Sequence, residues 1–304
     1  MVRKSVEVID MPADGVFVDE YISQNKPVVV RGLDYNAEEW KPEKLRTRIG
    51  DLTALVYGTL FDLEDVQTLD DYLETWFGRS GPMEDSTPYV RWYNKLRDVE
   101  FAWGDEAFQR MASAWRKPAC LPANNLIVPV SAAGSGTNPV NDAFPYRGLL
   151  VAARGARTRM HRDPFCSDAV VCQFYGVKEV ALYHPDRTAE LTNKTDGTSF
   201  GGFLDVRAGA VDKLSVEPDY HGFVGAGEMV YIPHGWLHDV IATEDSVSIT
   251  WNFVHSRGAN EFKQYLKGGF QGDPEFEILQ YFHRPVGQPA LTAPAISQYH
   301  FSLG

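Results

Sequence analysis

A chain of 304 residues that is 44% hydrophobic, with no long low-complexity run, holds enough apolar material for one large core and does not read as disordered. Its formal net charge of −12, its pI near 5.1 and the lack of a dense Lys/Arg cluster argue against nucleic acid and anionic membranes as partners. Cys120, Cys166 and Cys172 are odd in number and irregular in spacing, which argues against a disulfide framework or a zinc site. No signal peptide follows Met1 and no apolar run reaches about 18 residues, so the expectation is a cytoplasmic protein.

The N-terminal third alternates short helices and strands. Asp14 to Ser23 has helical spacing, and "NKPVVVRGL" reads as a buried strand stopped by Gly32. Pro42 and Gly50 bracket a helix between Trp40 and Ile49, and "DLTALVYG" is the next strand. Thr68 caps a helix that ends at Gly78. After a polar loop over 79–88, "PYVRWYNK" reads as a strand and "DEAFQRMASAW" as a helix ending before Pro118. Residues 131–145 are the most turn-rich stretch, either a pocket rim or a surface excursion.

From Tyr146 onward the pattern changes to strands in quick succession: "YRGLLVAAR", "RTRMHRD", "AVVCQFYG", "KEVALYHP", then "EMVYIP", "WLHDVIA" and "SVSITWNFV". An irregular section over 186–227 interrupts them, with room for one short strand. Seven or eight strands without alternating helices predict an antiparallel sandwich or barrel. Residues 259–283 return to helix, and a proline-containing tail follows. The chain is expected to form one compact unit in three parts. Residues 1–130 are a helix/strand region packing on the barrel, 131–256 the barrel itself, and 257–304 a C-terminal helical segment and tail. The amphipathic C-terminal helices either pair two protomers or cap the barrel.

The chemistry centres on Met160-His161-Arg162-Asp163-Pro164. His161 and Asp163, two apart on a strand, would share a face. His238, flanked by apolar residues on a later strand, is the best third ligand, with His234 in the preceding turn as its rival. Two histidines and a carboxylate on one face of a metal, with open positions opposite, are the ligand set of non-haem Fe(II) oxygenases. Such centres commonly take electrons from 2-oxoglutarate, whose distal carboxylate needs a cation. Lys178, opening a strand after the Gly176 turn, can supply one, or can face solvent at a strand edge. Arg91, Trp92, Tyr146, Arg147 and Trp251 are further candidates for pocket walls, or simply packing residues.

These segments resemble the JmjC/cupin family of Fe(II)- and 2-oxoglutarate-dependent oxygenases, in the subgroup of small hydroxylases similar to factor-inhibiting-HIF. The similarity rests on "TRMHRDP", "YGVKEVALYHPD", "GEMVYIPHGWLHDV" and "SITWNF", together with "EYISQNKPVVVRGL" near the start. The resemblance implies a mainly β fold, a double-stranded β-helix (jelly-roll or cupin barrel) with N-terminal α/β additions and C-terminal helices. It implies His161, Asp163 and His238 as catalytic iron ligands. Lys178 and Thr158 would hold the distal carboxylate of 2-oxoglutarate, and Asn252 would lie beside the co-substrate. Tyr89 is either a co-substrate contact or a core aromatic.

Where the family often carries an asparagine on the third strand, this chain has Ala169, Val170 and Val171, with Ser167 or Asp168 as the nearest polar replacements. The implied reaction uses Fe(II), O2 and 2-oxoglutarate. It hydroxylates an unactivated C–H of a peptide or protein side chain, or of a small molecule, and releases succinate. Two other readings stay open: a catalytically silent cupin-type binding module, and a metal-dependent cupin enzyme that does not use 2-oxoglutarate.

Overall fold

The computed structural model describes residues 4–84, 86–95, 102–130, 135–192 and 202–268. Its β-branched runs, broken by Gly, Pro and Asp, form fifteen strands among the described residues. In chain order these are β1 (Lys4–Ser5), β2 (Glu7–Asp10), β3 (Val28–Arg31), β4 (Thr53–Tyr57), β5 (Leu63–Thr68), β6 (Tyr89–Tyr93), β7 (Leu126–Val128) and β8 (Gly148–Ala152). They continue with β9 (Arg157–His161), β10 (Asp168–Tyr175), β11 (Lys178–Tyr183), β12 (Tyr220–Val224), β13 (Glu228–Ile232), β14 (Leu237–Ala242) and β15 (Ser246–His255). The short strand for which residues 186–227 left room is β12. The strand β5 has no counterpart in the sequence reading.

The eight strands β8 to β15 divide between two sheets. One has the order β13-β10-β15-β8 and the other β12-β11-β14-β9, and every neighbouring pair within them is antiparallel. Successive strands mostly cross from one sheet to the other, which is the winding of a jelly roll. The N-terminal region extends the larger sheet at both edges. On one side β3 and β2 continue from β13; on the other β6, β4 and β5 continue from β8. The fold is therefore mainly β, a cupin-type barrel with flanking helices.

Alternation along the strands decides which side holds the core. On β15, Val247, Ile249, Trp251 and Phe253 join Val170, Cys172 and Phe174 of β10 in the main hydrophobic cluster outside the barrel. The N-terminal helices cover that face, and Trp40 stacks on Phe174 with ring centroids 4.2 Å apart. Each large aromatic buried here contributes roughly 1.5–3 kcal/mol. The opposite face of β15 carries Ser246, Ser248, Thr250 and Asn252, so the polar alternation points into the barrel.

The outer face of the smaller sheet holds a charge network that ties the 186–227 section to the barrel. Asp239, fully buried on β14, accepts from Arg157 (Nη2 2.6 Å) and from Arg207 (Nε 2.8 Å). Arg157 also reaches Asp205, and Arg207 reaches Glu179, which pairs with His221 at 2.8 Å. Burial alone would raise the Glu179 carboxyl, but its bonds to His221 and Arg207 prevail and hold it down to about 2. Asp239→Ala removes the carboxylate shared by two buried guanidinium groups, leaving Arg157 with Asp205 and Arg207 with Glu179, and is expected to cost about 3–5 kcal/mol. Urea unfolding of the metal-free protein measures this, and a loss below about 1 kcal/mol would mean that water already screens the network.

Candidate metal centre and co-substrate cavity

His161 ends β9, and His238 lies directly across from it on β14. The strand stops there, so Asp163 is not on β9 as the spacing had suggested. It sits two residues on, still in extended backbone (φ −62°, ψ 146°), just before a short helical turn over Pro164–Cys166. Phe165 and Cys166 both adopt positive φ, at 41° and 55°, which turns the chain sharply after the carboxylate. The Phe165 ring, stacked on Tyr146 and packed with Phe262, anchors that turn.

Nitrogens of His161 and His238 and an oxygen of Asp163 all lie within 4.8 Å of one another. The imidazole centroids are 4.1 Å apart, and His238 Nε2 is 3.7 Å from Asp163 Oδ2. The Nδ1 of His161 faces the Arg159 carbonyl at 2.8 Å, and the Nδ1 of His238 faces the Trp236 carbonyl at 3.1 Å. A carbonyl only accepts, so each Nδ1 carries the proton and each Nε2 keeps its lone pair for a metal. Burial, and then the neighbouring His238, push His161 well below its ordinary pKa; burial pushes Asp163 up. Two Nε2 lone pairs beside a partly buried carboxylate are a donor set that a divalent cation completes.

The rival His234 is turned elsewhere. Its Nδ1 and backbone N–H lie 3.0 and 2.9 Å from Asp168 Oδ1, which also accepts from the Tyr231 hydroxyl. Asp168 is thereby committed outside the cavity and does not replace the missing asparagine. Ser167 does not line the cavity either; it accepts from Asn252 Nδ2 at 3.0 Å. The Asn252 side chain also bonds toward Asp163, so it braces the carboxylate ligand as well as lying in the cavity. His184 is exposed beside Trp236, His221 is in the charge network, and His255 caps the turn after β15. His283 and His300 lie outside the described residues.

The three candidate ligands open onto a cavity of about 110 Å³ inside the barrel, also lined by Thr158, Lys178 and Asn252. Thr158 and His161 are three apart, so simple alternation would put them on opposite faces. A bulge lets both point inward: His238 pairs with His161 and Val240 with Thr158, two residues of β14 facing three steps of β9. Thr158 Oγ1 donates to the Tyr89 hydroxyl at 2.9 Å, so Tyr89, itself buried, stands behind Thr158. Ala169 and Val171 present apolar wall where the asparagine would be. Arg91 and Tyr146 line the cavity, whereas Trp92, Arg147 and Trp251 are buried in packing.

Lys178 is fixed by the turn before it. Gly176 has φ +68°, and a Cβ there would lie 1.9 Å from the Asp245 carbonyl oxygen, so only glycine fits. The lysine that follows is 6% exposed, donates to Ser248 Oγ at 2.8 Å, and has no carboxylate within ion-pair distance among the described residues. Burial lowers its ammonium to about 7. A buried cation with one neutral acceptor, in the cavity that holds the candidate metal ligands, has the chemistry to receive an anionic end group. Cys166, three residues past Asp163, is pushed up to about 11 by burial and does not join the cluster of candidate ligand atoms.

Comparison with known proteins agrees with this architecture. A model of the cupin-like domain matches residues 13–259. The chicken 2-oxoglutarate and iron-dependent oxygenase JMJD4 is 30% identical over 152 residues, 46% of this chain and 35% of that protein. The Dictyostelium discoideum JmjC domain-containing protein A is 22% identical over 252 residues, 76% of this chain and 88% of that protein. The Arabidopsis thaliana arginine-specific demethylase JMJ22 is 24% identical over 266 residues, 83% of this chain and 47% of its own length. The chain thus spans less than half of the chicken and Arabidopsis proteins. With the barrel, the ligand geometry and these matches in agreement, the chain belongs to the cupin-like domain family and is a JmjC-type relative of the iron- and 2-oxoglutarate-dependent oxygenases.

Proposed function

We propose that this protein is an Fe(II)- and 2-oxoglutarate-dependent dioxygenase that hydroxylates an unactivated C–H bond, most simply on an amino-acid side chain of a peptide or protein. The observation that carries this reading is the sharing of one cavity by the His161–Asp163–His238 cluster and the carboxylate-free cation of Lys178. Iron(II) held by those three residues supplies the oxygen activation that converts 2-oxoglutarate to succinate and carbon dioxide and inserts an oxygen atom into the substrate. The chain's own groups bind and orient. Lys178 takes the distal carboxylate, Thr158 backed by Tyr89 offers a hydroxyl beside it, and Asn252 steadies Asp163. Apolar Ala169, Val171, Ile232 and Val240 keep water from the reacting centre.

The relatives' names include demethylases, and the two outcomes share a first step. Hydroxylation of an N-methyl carbon gives a hemiaminal that releases formaldehyde, whereas hydroxylation of a ring or chain carbon is the end of the reaction. A silent binding module would have no use for a complete ligand set, and a cupin enzyme without 2-oxoglutarate would have no use for an uncompensated buried lysine. Three free cysteines, with Cys120 and Cys172 buried, support a reducing cytoplasmic setting, and no helix among the described residues is long and apolar enough to cross a membrane. The proposed pairing of protomers would use the helix Ala259–Gly268 and the segment after it, which lies outside the described residues.

The test is thermal unfolding with Mn(II), with 2-oxoglutarate, and with both. Ligand that binds the folded state at a hundred times its Kd stabilises by about 2.7 kcal/mol, so the pair together should raise the midpoint by several degrees. Succinate release with Fe(II), ascorbate and 2-oxoglutarate is the second readout. No metal-dependent stabilisation by 2-oxoglutarate and no succinate would remove the proposal.

A further inference from the structure

The cavity wall carries more positive charge than the co-substrate requires. Strand β6 directs Tyr89, Arg91 and Tyr93 toward the interior while Val90 and Trp92 pack outward. The Arg91 guanidinium lies 3.9 Å from the centre of the Phe61 ring and donates to the Tyr93 hydroxyl. That same Phe61 ring meets His161 edge-on at 5.2 Å, so the guanidinium stands one aromatic ring away from a proposed iron ligand.

What surrounds Arg91 sets it apart from the other enclosed arginines. Arg157 and Arg207 are each neutralised by carboxylates, and Arg147 donates to the carbonyls of Pro139 and Asp142. Arg91 has aromatic faces and one phenol, and no carboxylate within ion-pair distance among the described residues. Ring faces attract a guanidinium but leave most of its five N–H donors unmet. The imbalance extends to the cavity as a whole. In a protein of net charge −12, the charged side chains on this wall among the described residues are Arg91, Arg162 and Lys178, against the single carboxylate of Asp163, which the metal would neutralise.

We propose that Arg91 determines specificity: the substrate presents a carboxylate to its guanidinium, close to the carbon that is oxidised. The carboxylate is either an Asp or Glu side chain of a peptide or the main-chain carboxylate of a free amino acid. Cationic groups, methylated lysine and arginine included, are disfavoured by the same charge. This rests on the proposed oxygenase reading and deepens it, because it names the class of substrate for the same cavity.

The experiment is calorimetric titration of the full chain with Mn(II) and 2-oxoglutarate present. The probes are blocked pentapeptides, Gly-Gly-Xaa-Gly-Gly with Xaa as Asp, Glu, Asn, Lys or trimethyllysine, and free aspartate and asparagine, each to millimolar concentration. The acidic probes should bind, the cationic ones should not, and the peptide and free-acid arms identify the source. Arg91→Gln should weaken the acidic probes at least about tenfold, Arg91→Lys less, and 2-oxoglutarate affinity should change by no more than about threefold. Equal binding of neutral and acidic probes, no binding of any acidic probe, or no effect of Arg91→Gln would overturn the proposal. So would a parallel loss of 2-oxoglutarate, which would make Arg91 a co-substrate contact. If the wild-type protein does not bind 2-oxoglutarate, the oxygenase reading falls. The same probes with Mn(II) alone then decide Arg91: an acid preference lost in Arg91→Gln supports the site, and its absence overturns it.

Discussion

Asp163→Ala will lose Mn(II)- and 2-oxoglutarate-dependent stabilisation and succinate formation, while the metal-free protein stays as stable as wild type or becomes slightly more so. The two halves of this expectation have one cause. Asp163 is a carboxylate in a site where burial raises its pKa, and what favours its charged form is the polar environment of His238, Asn252 and a more distant Arg91. Without a metal, the group is a cost that alanine removes; with one, it is the only anionic ligand. Residues that merely brace metal ligands are worth about 10–100-fold in affinity, so removing the ligand itself should exceed a hundredfold. His161→Ala and His238→Ala should behave alike, because each presents an Nε2 from an Nδ1-anchored ring. His234→Ala is the control: it removes one of the three donors to Asp168 Oδ1, leaving the Tyr231 hydroxyl and the backbone N–H, and should leave metal binding near wild type. Isothermal titration with Mn(II) reads all four variants. Full binding by Asp163→Ala, or loss of binding in His234→Ala matching that in His238→Ala, would move the metal centre to other residues.

The barrel was legible because its strands are short β-branched runs separated by strong turn formers, although strands adjacent in the sheets are mostly distant in sequence. The ligand set was less so. Spacing put His161 and Asp163 on one strand face, but β9 ends at His161, and the positive-φ turn through Phe165 and Cys166 follows Asp163. The bulge between the His238–His161 and Val240–Thr158 pairs, which brings Thr158 onto the same side as His161, leaves no trace in a hydrophobic pattern, since both residues are polar in either register. Strand β5 escaped notice because it is an edge strand whose residues are mostly exposed, so burial imposes no alternation on it. The Asp239 network escaped for a different reason. Its partners Arg157 and Arg207 come from 82 and 32 residues away, and a charged residue in a strand gives no sign of which distant charge will meet it. Arg91 was one of five candidate wall residues; what distinguishes it from Arg147 is its place on the cavity wall, whereas Arg147 donates to the carbonyls of Pro139 and Asp142 in packing.

Lys178 should make co-substrate binding strongly pH-dependent in a window where 2-oxoglutarate itself does not titrate. The ammonium, lowered to about 7 by burial, binds a carboxylate only when protonated. With the carboxylate in place its pKa rises, so above pH 7 binding must take up a proton, and affinity falls as the free lysine loses one. Between pH 6 and pH 9 the Kd should weaken on the order of 10- to 100-fold, following a slope near tenfold per unit above the free pKa. Titration at pH 8 in two buffers of different ionisation enthalpy should show uptake of about one proton per 2-oxoglutarate bound. Lys178→Met should abolish that uptake, flatten the profile and bind weakly at every pH. The same residue fixes the sign of a stability effect. Its folded pKa lies below the ordinary value of 10.5, so between about 7 and 10.5 the unfolded chain holds the extra proton and stability rises with pH. Below that window the folded protein carries the full cost of a buried cation, on the order of several kcal/mol. Lys178→Met should therefore stabilise the ligand-free protein at pH 6, with the gain fading toward pH 10. Urea unfolding at both pH values reads it. A lysine that faced solvent would instead show no pH-dependent gain and no proton uptake.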